Sequence, residues 1–238
     1  MEKVRRNVLK IVAISDTHSG HHQLQLPPGD ILIHCGDFSK SRTKLNVEEY
    51  TDFLTWFTSQ EHKTKILIAG NRDDYMHSEV CHKYRSRSME EIEKVQAMFT
   101  KNKDIIYLRD SSYQHNQDGV SITIWGSPWT RIHGKEGKSF QVSTQELKQK
   151  WGMIPEDTNI LVTHGPPLGI CDQNLAKQQA GCPKLLDTVK RVKPQVHMFG
   201  HIHEGYGTLT TEDTLFINAA SIDKVTKKLS NEPFVIGK

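Results

Sequence analysis

The 238-residue sequence has no long hydrophobic run, no paired-cysteine motif, no repeat and no strong excess of either charge. Each absence removes a class of protein. Without a stretch of roughly 20 apolar residues, no membrane-spanning helix is expected. No basic segment leads into an apolar run near Met1, so no secretory leader is expected. Lys3, Arg5 and Arg6 open the chain, and residues 1–7 read as a solvated tail. Four cysteines, Cys35, Cys81, Cys171 and Cys182, lack CxxC spacing. They fit free thiols in a reducing compartment, so a cytoplasmic protein is expected. The formal net charge of +3 gives no concentrated basic face for nucleic acid or a membrane, which disfavours a nuclease. With no linker or low-complexity tract, residues 8–238 are expected to form one domain.

What is present is a series of short apolar runs, most of them closed by a polar or glycine-rich turn. Leu9–Ser15 ends at Asp16-Thr17-His18, Ile31–His34 at Gly36-Asp37, and Ile66–Ala69 at Gly70-Asn71. Ile160–Thr163 ends at His164-Gly165, and Val196–Phe199 at Gly200-His201. Runs of this length, rich in Ile and Val, read as buried strands. Helical spacing of apolar residues lies between them over Val47–Ser59, Met89–Thr100, Thr144–Trp151 and Cys182–Val192. Strands alternating with helices predict an α/β fold. Ile105–Trp125 and Gly207–Ile236 carry strands without helices, which predicts a second, partly antiparallel sheet. Asp73–Ser88 reads as a loop or lid, and Arg131–Ser143, with Gly134 and Gly137, as a second loop.

Thirteen histidines stand out because several close strands beside Asp, Asn and Gly. Asp16 and His18 are two apart, so an extended segment would point them the same way; His201 and His203 repeat that spacing. Sites in open α/β sheets form at the carboxyl ends of strands, so the five turns are expected to converge on one crevice. Carboxylate, imidazole and amide oxygen suit divalent Mn, Fe or Zn and disfavour a thiolate site. Seven ligands (Asp16, His18, Asp37, Asn71, His164, His201 and His203) are too many for one tetrahedral centre. They suffice for two metal ions sharing a carboxylate. Two such ions activate a bridging water and neutralise phosphoryl oxygens during in-line attack on a phosphate ester.

The ordered set of DxH at Asp16, GD at Gly36, GN at Gly70, HG at His164 and GHxH at Gly200 resembles the calcineurin-like metallophosphoesterases. THGPPLG at Thr163, FGHIHEGYG at Phe199, FINA at Phe216, KILIAGN at Lys65 and GSPWT at Gly126 resemble its metallophosphoesterase-domain-containing (MPPED) subgroup. So do GDILIH at Gly29 and the Gly181-Cys182 segment. The resemblance runs from about residue 8 to the C-terminus. It implies two mixed β-sheets in a sandwich flanked by helices. It also implies that Asp16, His18, Asp37 and His203 bind one metal, and that Asp37, Asn71, His164 and His201 bind the other, with Asp37 bridging. Manganese is the first choice, iron or zinc the alternatives. The implied activity is that of a metal-dependent phosphodiesterase acting on a small phosphate ester, a (cyclic) nucleotide above all. Some members of the subgroup lack one histidine of GHxH; this chain keeps both.

One position departs from the family pattern. GNHD or GNHE is usual, whereas this sequence reads Gly70-Asn71-Arg72-Asp73. Arg72 and Asp73, with bridging Asp37, are the candidate catalytic residues. A guanidinium cannot protonate a leaving group but pairs well with phosphate oxygens. Arg72 therefore clamps the phosphoryl group, or turns away to pair with Asp73 or Asp74, or leaves the proton to His21, His22 or His77. The alternative function is a weakly active or inactive nucleotide- and metal-binding protein. His34 and His197, inside strands, read as structural residues, with a supporting role behind the ligands as the lesser alternative. His133 reads as a surface residue, Trp125 and Trp129 as core, and Lys224, Lys227 and Lys228 as a solvated face.

Overall fold

The structure is a computed structural model that describes residues 8–40, 45–117, 119–132 and 138–237. The expected tail 1–7, His133, Gly134 and Gly137 lie outside the described residues.

Two mixed sheets face each other. In the first, β1 (Lys10–Ile14), β2 (Ile31–His34), β3 (Thr64–Leu67) and β4 (Ile106–Tyr107) run parallel in chain order. The second is built from β5 (Ser111–Gln117), β6 (Val120–Ser127), β9 (Ile160–Thr163), β10 (Val196–Phe199), β11 (Gly207–Thr210) and β12 (Leu215–Asn218), in the order β11-β12-β10-β9-β6-β5. Its inner strands are parallel, and the β5–β6 and β11–β12 pairs at its edges are antiparallel. Between them in sequence, β7 (Thr130–Arg131) and β8 (Gln141–Val142) form a separate two-stranded pair. The last strand, β13 (Phe234–Gly237), leaves the second sheet's sequence neighbourhood and pairs antiparallel with β1.

Alternation along the strands sorts side chains into two layers. Ile11, Ala13, Ile31, Ile33, Ile66 and Ile68 face Ile122, Ile124, Ile160, Val162, Met198 and Ile217 between the sheets. The alternate positions, such as Val12, Ile14, Leu32, Leu161 and Phe199, pack outward on the helix layer. Both faces are therefore covered, which is why these strands read as continuous apolar runs. Helices α1 (Val47–Thr58) and α3 (Met89–Thr100) bury Phe53, Phe57, Ile92 and Phe99 in that outer layer. Asn46 and Ser88 cap their first turns. Helix α4 (Thr144–Gly152) starts at a Ser143–Glu146 capping box, and α5 (Pro183–Val192) has Pro at its first position.

The segment Asp73–Ser88 is not the loop expected from sequence. It holds a 3-10 turn at Asp74–Met76 and a helix, α2 (Ser78–Arg85). Only Cys81 of that helix is buried, so there is no apolar stripe to read. The turn before it is anchored through buried Asp74, which takes Arg85 Nε at 2.6 Å and the Ser139 hydroxyl at 2.6 Å. Among the described residues no helix is long and apolar enough to cross a membrane, and all four cysteines are free.

Candidate metal centre

Each of the five turns lies at the carboxyl end of a parallel strand: after β1, β2 and β3 in one sheet, and after β9 and β10 in the other. The backbone bends hard there. Asp16, His18, Asp37 and His201 all have positive φ, between 42° and 68°. For residues with a Cβ this region costs about 1–3 kcal/mol, and such strain gathers at functional sites. Neighbouring glycines make the approach possible. A Cβ on Gly70 would overlap the Asp37 carboxylate, and one on Gly200 would overlap that of Asp16.

The side chains form two groups. Asp16, His18 and His203 offer ligand atoms within 4.8 Å of one another, and so do Asp37, His164 and His201. Asn71 joins the second group, its Oδ1 3.1 Å from His164 Nε2. Asp37 lies between the groups. Its Oδ1 is 3.4 Å from His164 Nε2, and its Oδ2 is 4.0 Å from His18 Nε2.

Several features suit cations. Asp16 Oδ2 accepts the His201 amide at 2.8 Å, but Asp16 Oδ1 is buried with no hydrogen-bond partner. His203 Nε2 is 3.3 Å from that oxygen and 3.4 Å from His18 Nε2, so two imidazole nitrogens and an orphaned carboxylate oxygen converge. His18 Nδ1 faces the Ser39 carbonyl at 3.1 Å, and His164 Nδ1 the Cys35 carbonyl at 2.9 Å. With Nδ1–H donating to each carbonyl, Nε2 faces the site, the usual way a ligating histidine is oriented.

The field is consistent with this. Burial works to lower the pKa of His164, but the Asp37 and Asp16 carboxylates raise it to about 9. Burial also works to raise both carboxylates, yet the surrounding imidazoles hold them below the usual range. Burial lowers His201 to about 3 and also lowers His18, which keeps them neutral, as metal ligands must be. Without metal, the two buried, ionised carboxylates hold a proton on His164, and a bound cation would take the place of that proton.

Of the other candidates, Arg72 lies against Asp37, with Nε 3.8 Å from Oδ2, rather than against Asp73 or Asp74. Its Nη1 donates to the Lys40 carbonyl at 3.2 Å, and its side chain is 43% exposed on the open side of the site. Asp73 is fully buried. Its carboxylate accepts the amides of Asp37, Ser39 and Gly70 and the Ser39 hydroxyl, lashing the Gly-Asp turn to the Gly-Asn turn. His21 and His22 both point Nε2 at Asp52, and His77 stacks on Phe140 in a separate pocket.

Sequence reasoning missed Ser39, which serves His18, Arg72 and Asp73 at once. The signal was only its place two residues after Asp37. His34 and His197 do stand behind the ligand turns. His34 Nε2 meets the Thr17 hydroxyl at 3.0 Å and its Nδ1 accepts the Gly36 amide at 3.1 Å; His197 Nε2 meets the Thr163 hydroxyl at 2.8 Å. Trp125 and Trp129 are buried, as expected.

Comparison with known proteins agrees with this geometry. The family model described as Calcineurin-like phosphoesterase matches residues 9–205. The human and mouse proteins named Metallophosphoesterase domain-containing protein 1 are each 37% identical over 244 residues, covering 95% of this chain and 70% of theirs. Among solved structures, a 5′-nucleotidase precursor from Thermus thermophilus superposes with a TM-score of 0.50 at 11% identity, over 98% of this chain and 54% of that one. Another solved chain reaches a TM-score of 0.61 at 14% identity, over 97% of this chain and 99% of that one. At such identities the structural likeness concerns the fold alone.

Proposed function

The chain belongs to the calcineurin-like phosphoesterase family, and on that premise we propose that it is a two-metal phosphodiesterase acting on a nucleotide-like phosphate ester. The observation that carries this reading is Asp37, a buried carboxylate with one oxygen turned toward each ligand group. Asp16, His18, His203 and Asp37 would hold one divalent ion; Asp37, Asn71, His164 and His201 would hold the other. Oxygen and imidazole donors without thiolate favour manganese, with iron or zinc as alternatives. When bound, the ions supply Lewis acidity and lower the pKa of water. Both sheets build the one site, in keeping with residues 8–238 acting as a single domain, and the four free thiols suit the cytoplasm.

The chain's own residues do the rest. The carbonyls of Ser39 and Cys35 fix the His18 and His164 tautomers. Asp73 positions the Asp37 turn and is closed off from substrate by its four donors. Arg72, on the open side, pairs with a phosphoryl oxygen. It supplies charge but no proton, so the rate depends on the quality of the leaving group.

Turnover by the manganese-loaded protein of bis(p-nitrophenyl) phosphate, p-nitrophenyl phosphate and 2′,3′- and 3′,5′-cyclic nucleotides tests the proposal. Diesters are expected to turn over faster than the monoester and well above an Asp37→Ala control. Diester turnover no higher than that control overturns the enzyme reading. Metal and nucleotide binding without turnover would then favour the second reading, a binding protein, for which Arg72 in place of histidine speaks. In Arg72→His, the rate on the activated aryl diester relative to a nucleotide diester should fall, by up to about 10²-fold for a recovered general acid. An unchanged ratio removes Arg72 from the phosphoryl group.

A further inference from the structure

Beside the metal centre lies an open cleft of about 490 Å³, a size that suits a small organic ligand. His18 and His203 form its inner wall, so it is continuous with the proposed reaction centre. Arg72, Lys40, Lys224, Lys227 and Lys228 also line it, and among the described residues no Asp or Glu does. Five fixed cations at one cleft are a local concentration that the chain's net charge of +3 does not reveal.

The lysines are held on an ordered support. Residues 222–229 form a hairpin closed by an antiparallel bridge between Ile222 and Leu229, with Asp223 N donating to Lys228 O at 2.8 Å and Lys227 N to Asp223 O at 2.9 Å. Its base is tied to the metal turn: Ser221 N donates to Ser15 O at 2.8 Å, and Asn231 N to Ser221 O at 3.1 Å. Lys227 occupies the left-handed region, at φ 58°, where glycine would be less strained. Nearby carboxylates are otherwise engaged. Asp223 accepts the Thr226 amide and hydroxyl with Oδ1, and lends Lys227 some opposing charge; Glu49 accepts the Lys40 amide and the Ser19 hydroxyl. Among the described residues none of the four lysine ammonium groups closes an ion pair within 4.0 Å.

Two metal ions held by the ligand set, together with Arg72, would already meet the charge of one reacting phosphate. Four further ammonium groups along the same cleft exceed what a simple diester needs. We propose that Lys40, Lys224, Lys227 and Lys228 form a second anion subsite, and that the substrate is a phosphodiester carrying a further ionised phosphate. This deepens the phosphodiesterase reading and rests on it. Ile222 and Leu229, on the same wall, give the uncharged part of the ligand an apolar surface.

Affinity, read without turnover, tests the proposal. The manganese-loaded protein, freed of excess metal and held at low salt, is titrated calorimetrically with adenosine 5′-monophosphate and with adenosine 5′-(α,β-methylene)diphosphate. The diphosphate analogue is expected to bind about tenfold tighter, the worth of one added charge-assisted contact. That preference should shrink as salt screens the exposed lysines. In Lys227→Glu/Lys228→Glu the ratio of the two affinities should fall toward one. In Lys94→Glu/Lys101→Glu, the same charge change on exposed positions at α3, the ratio should stay near that of the parent. Equal affinities in the parent, or equal loss of preference in both double variants, overturns the subsite. Diester turnover with no diphosphate preference sinks this inference alone. A diphosphate preference with no diester turnover sinks the phosphodiesterase reading and leaves the anion subsite standing.

Discussion

The five-stranded sheet brings Asp16, His18, Asp37 and Asn71 to the crevice, whereas the six-stranded sheet brings His164, His201 and His203. One side is mostly oxygen and carries the negative charge; the other is all imidazole. The supports differ in kind as well. The oxygen side is cross-linked by Asp73, which accepts the amides of Asp37, Ser39 and Gly70, and by the Ser39 hydroxyl, which lies in donating reach of Asp73 and of the Arg72 carbonyl. The imidazole side leans on the first sheet: His164 uses the Cys35 carbonyl, and the His201 amide uses Asp16. Buried carboxylates are costly unless matched by positive charge, which His164 supplies here by holding a proton, while burial keeps His201 neutral. The oxygen side therefore sets the demand for positive charge, and the imidazole side would supply donor nitrogens once a metal ion displaced the His164 proton.

The strongest way to break this comparison is to remove Asp37, the proposed bridge. Asp37→Ala is expected to lose both ions and to slow diester turnover by about 10²–10³ or more. His203→Ala and His201→Ala should each lose one ion, from opposite groups. Metal content of the purified variants, by mass spectrometry, decides the matter. Retention of both ions in Asp37→Ala would mean that the two groups share no carboxylate. Complete loss in both histidine variants would mean that the groups are one site.

Much of this arrangement is legible in the sequence because it depends on local pattern. The strands β2, β9 and β10 run over the residues that their Ile/Val content marks, and a ligand residue follows each within a few residues. A glycine before Asp37, Asn71 and His201 is itself a sign of a sharp turn. What is not legible is set by contacts distant in sequence. Ser39 looks like any serine until Asp73, 34 residues on, closes on it. The pairing of β13 with β1 joins the two ends of the described chain, and no local signal specifies it. Lys224, Lys227 and Lys228 read as a solvated face because only the fold brings their hairpin beside His18 and Arg72. Helix α2 escapes because it buries a single side chain.

A smaller effect sharpens the comparison. Each sheet braces its ligand turn with a buried histidine on a threonine hydroxyl, but the braces are unequal. His34 uses both ring nitrogens, and its loss strands the buried Gly36 amide in the Gly-Asp turn. His197 uses one nitrogen; its Nδ1 is buried without a partner, and Thr163 keeps its bond to the Gly165 carbonyl regardless. His34→Leu should cost about 1–3 kcal/mol and weaken manganese binding about 10–100-fold. His197→Leu should cost less, within about 1 kcal/mol. Denaturation and metal titration measure both. Equal costs would mean that the oxygen side is no more dependent on its brace than the imidazole side.

The smallest expected effect, near neutral pH, concerns the same two histidines, and here the two sheets should behave alike. Burial lowers His34 and His197 from the ordinary value of 6.5 to about 3. Below pH 6.5 the unfolded chain takes up a proton at each that the native protein refuses until about pH 3. Their contribution to stability is therefore whole above pH 6.5 and lost as pH falls toward 3. Well inside that window each histidine adds a slope of about 1.4 kcal/mol per pH unit. Denaturation of metal-stripped protein at several pH values between about 4 and 6 should show the slope reduced by that amount in His34→Leu and equally in His197→Leu. The remaining ionisable groups set a slope common to parent and variants, so the difference isolates the substituted ring. An unchanged slope in either variant would show that its histidine is already protonated in the native protein. Its hydrogen bond to the threonine would then be that of a cation, and the neutral brace assigned to that sheet would be wrong.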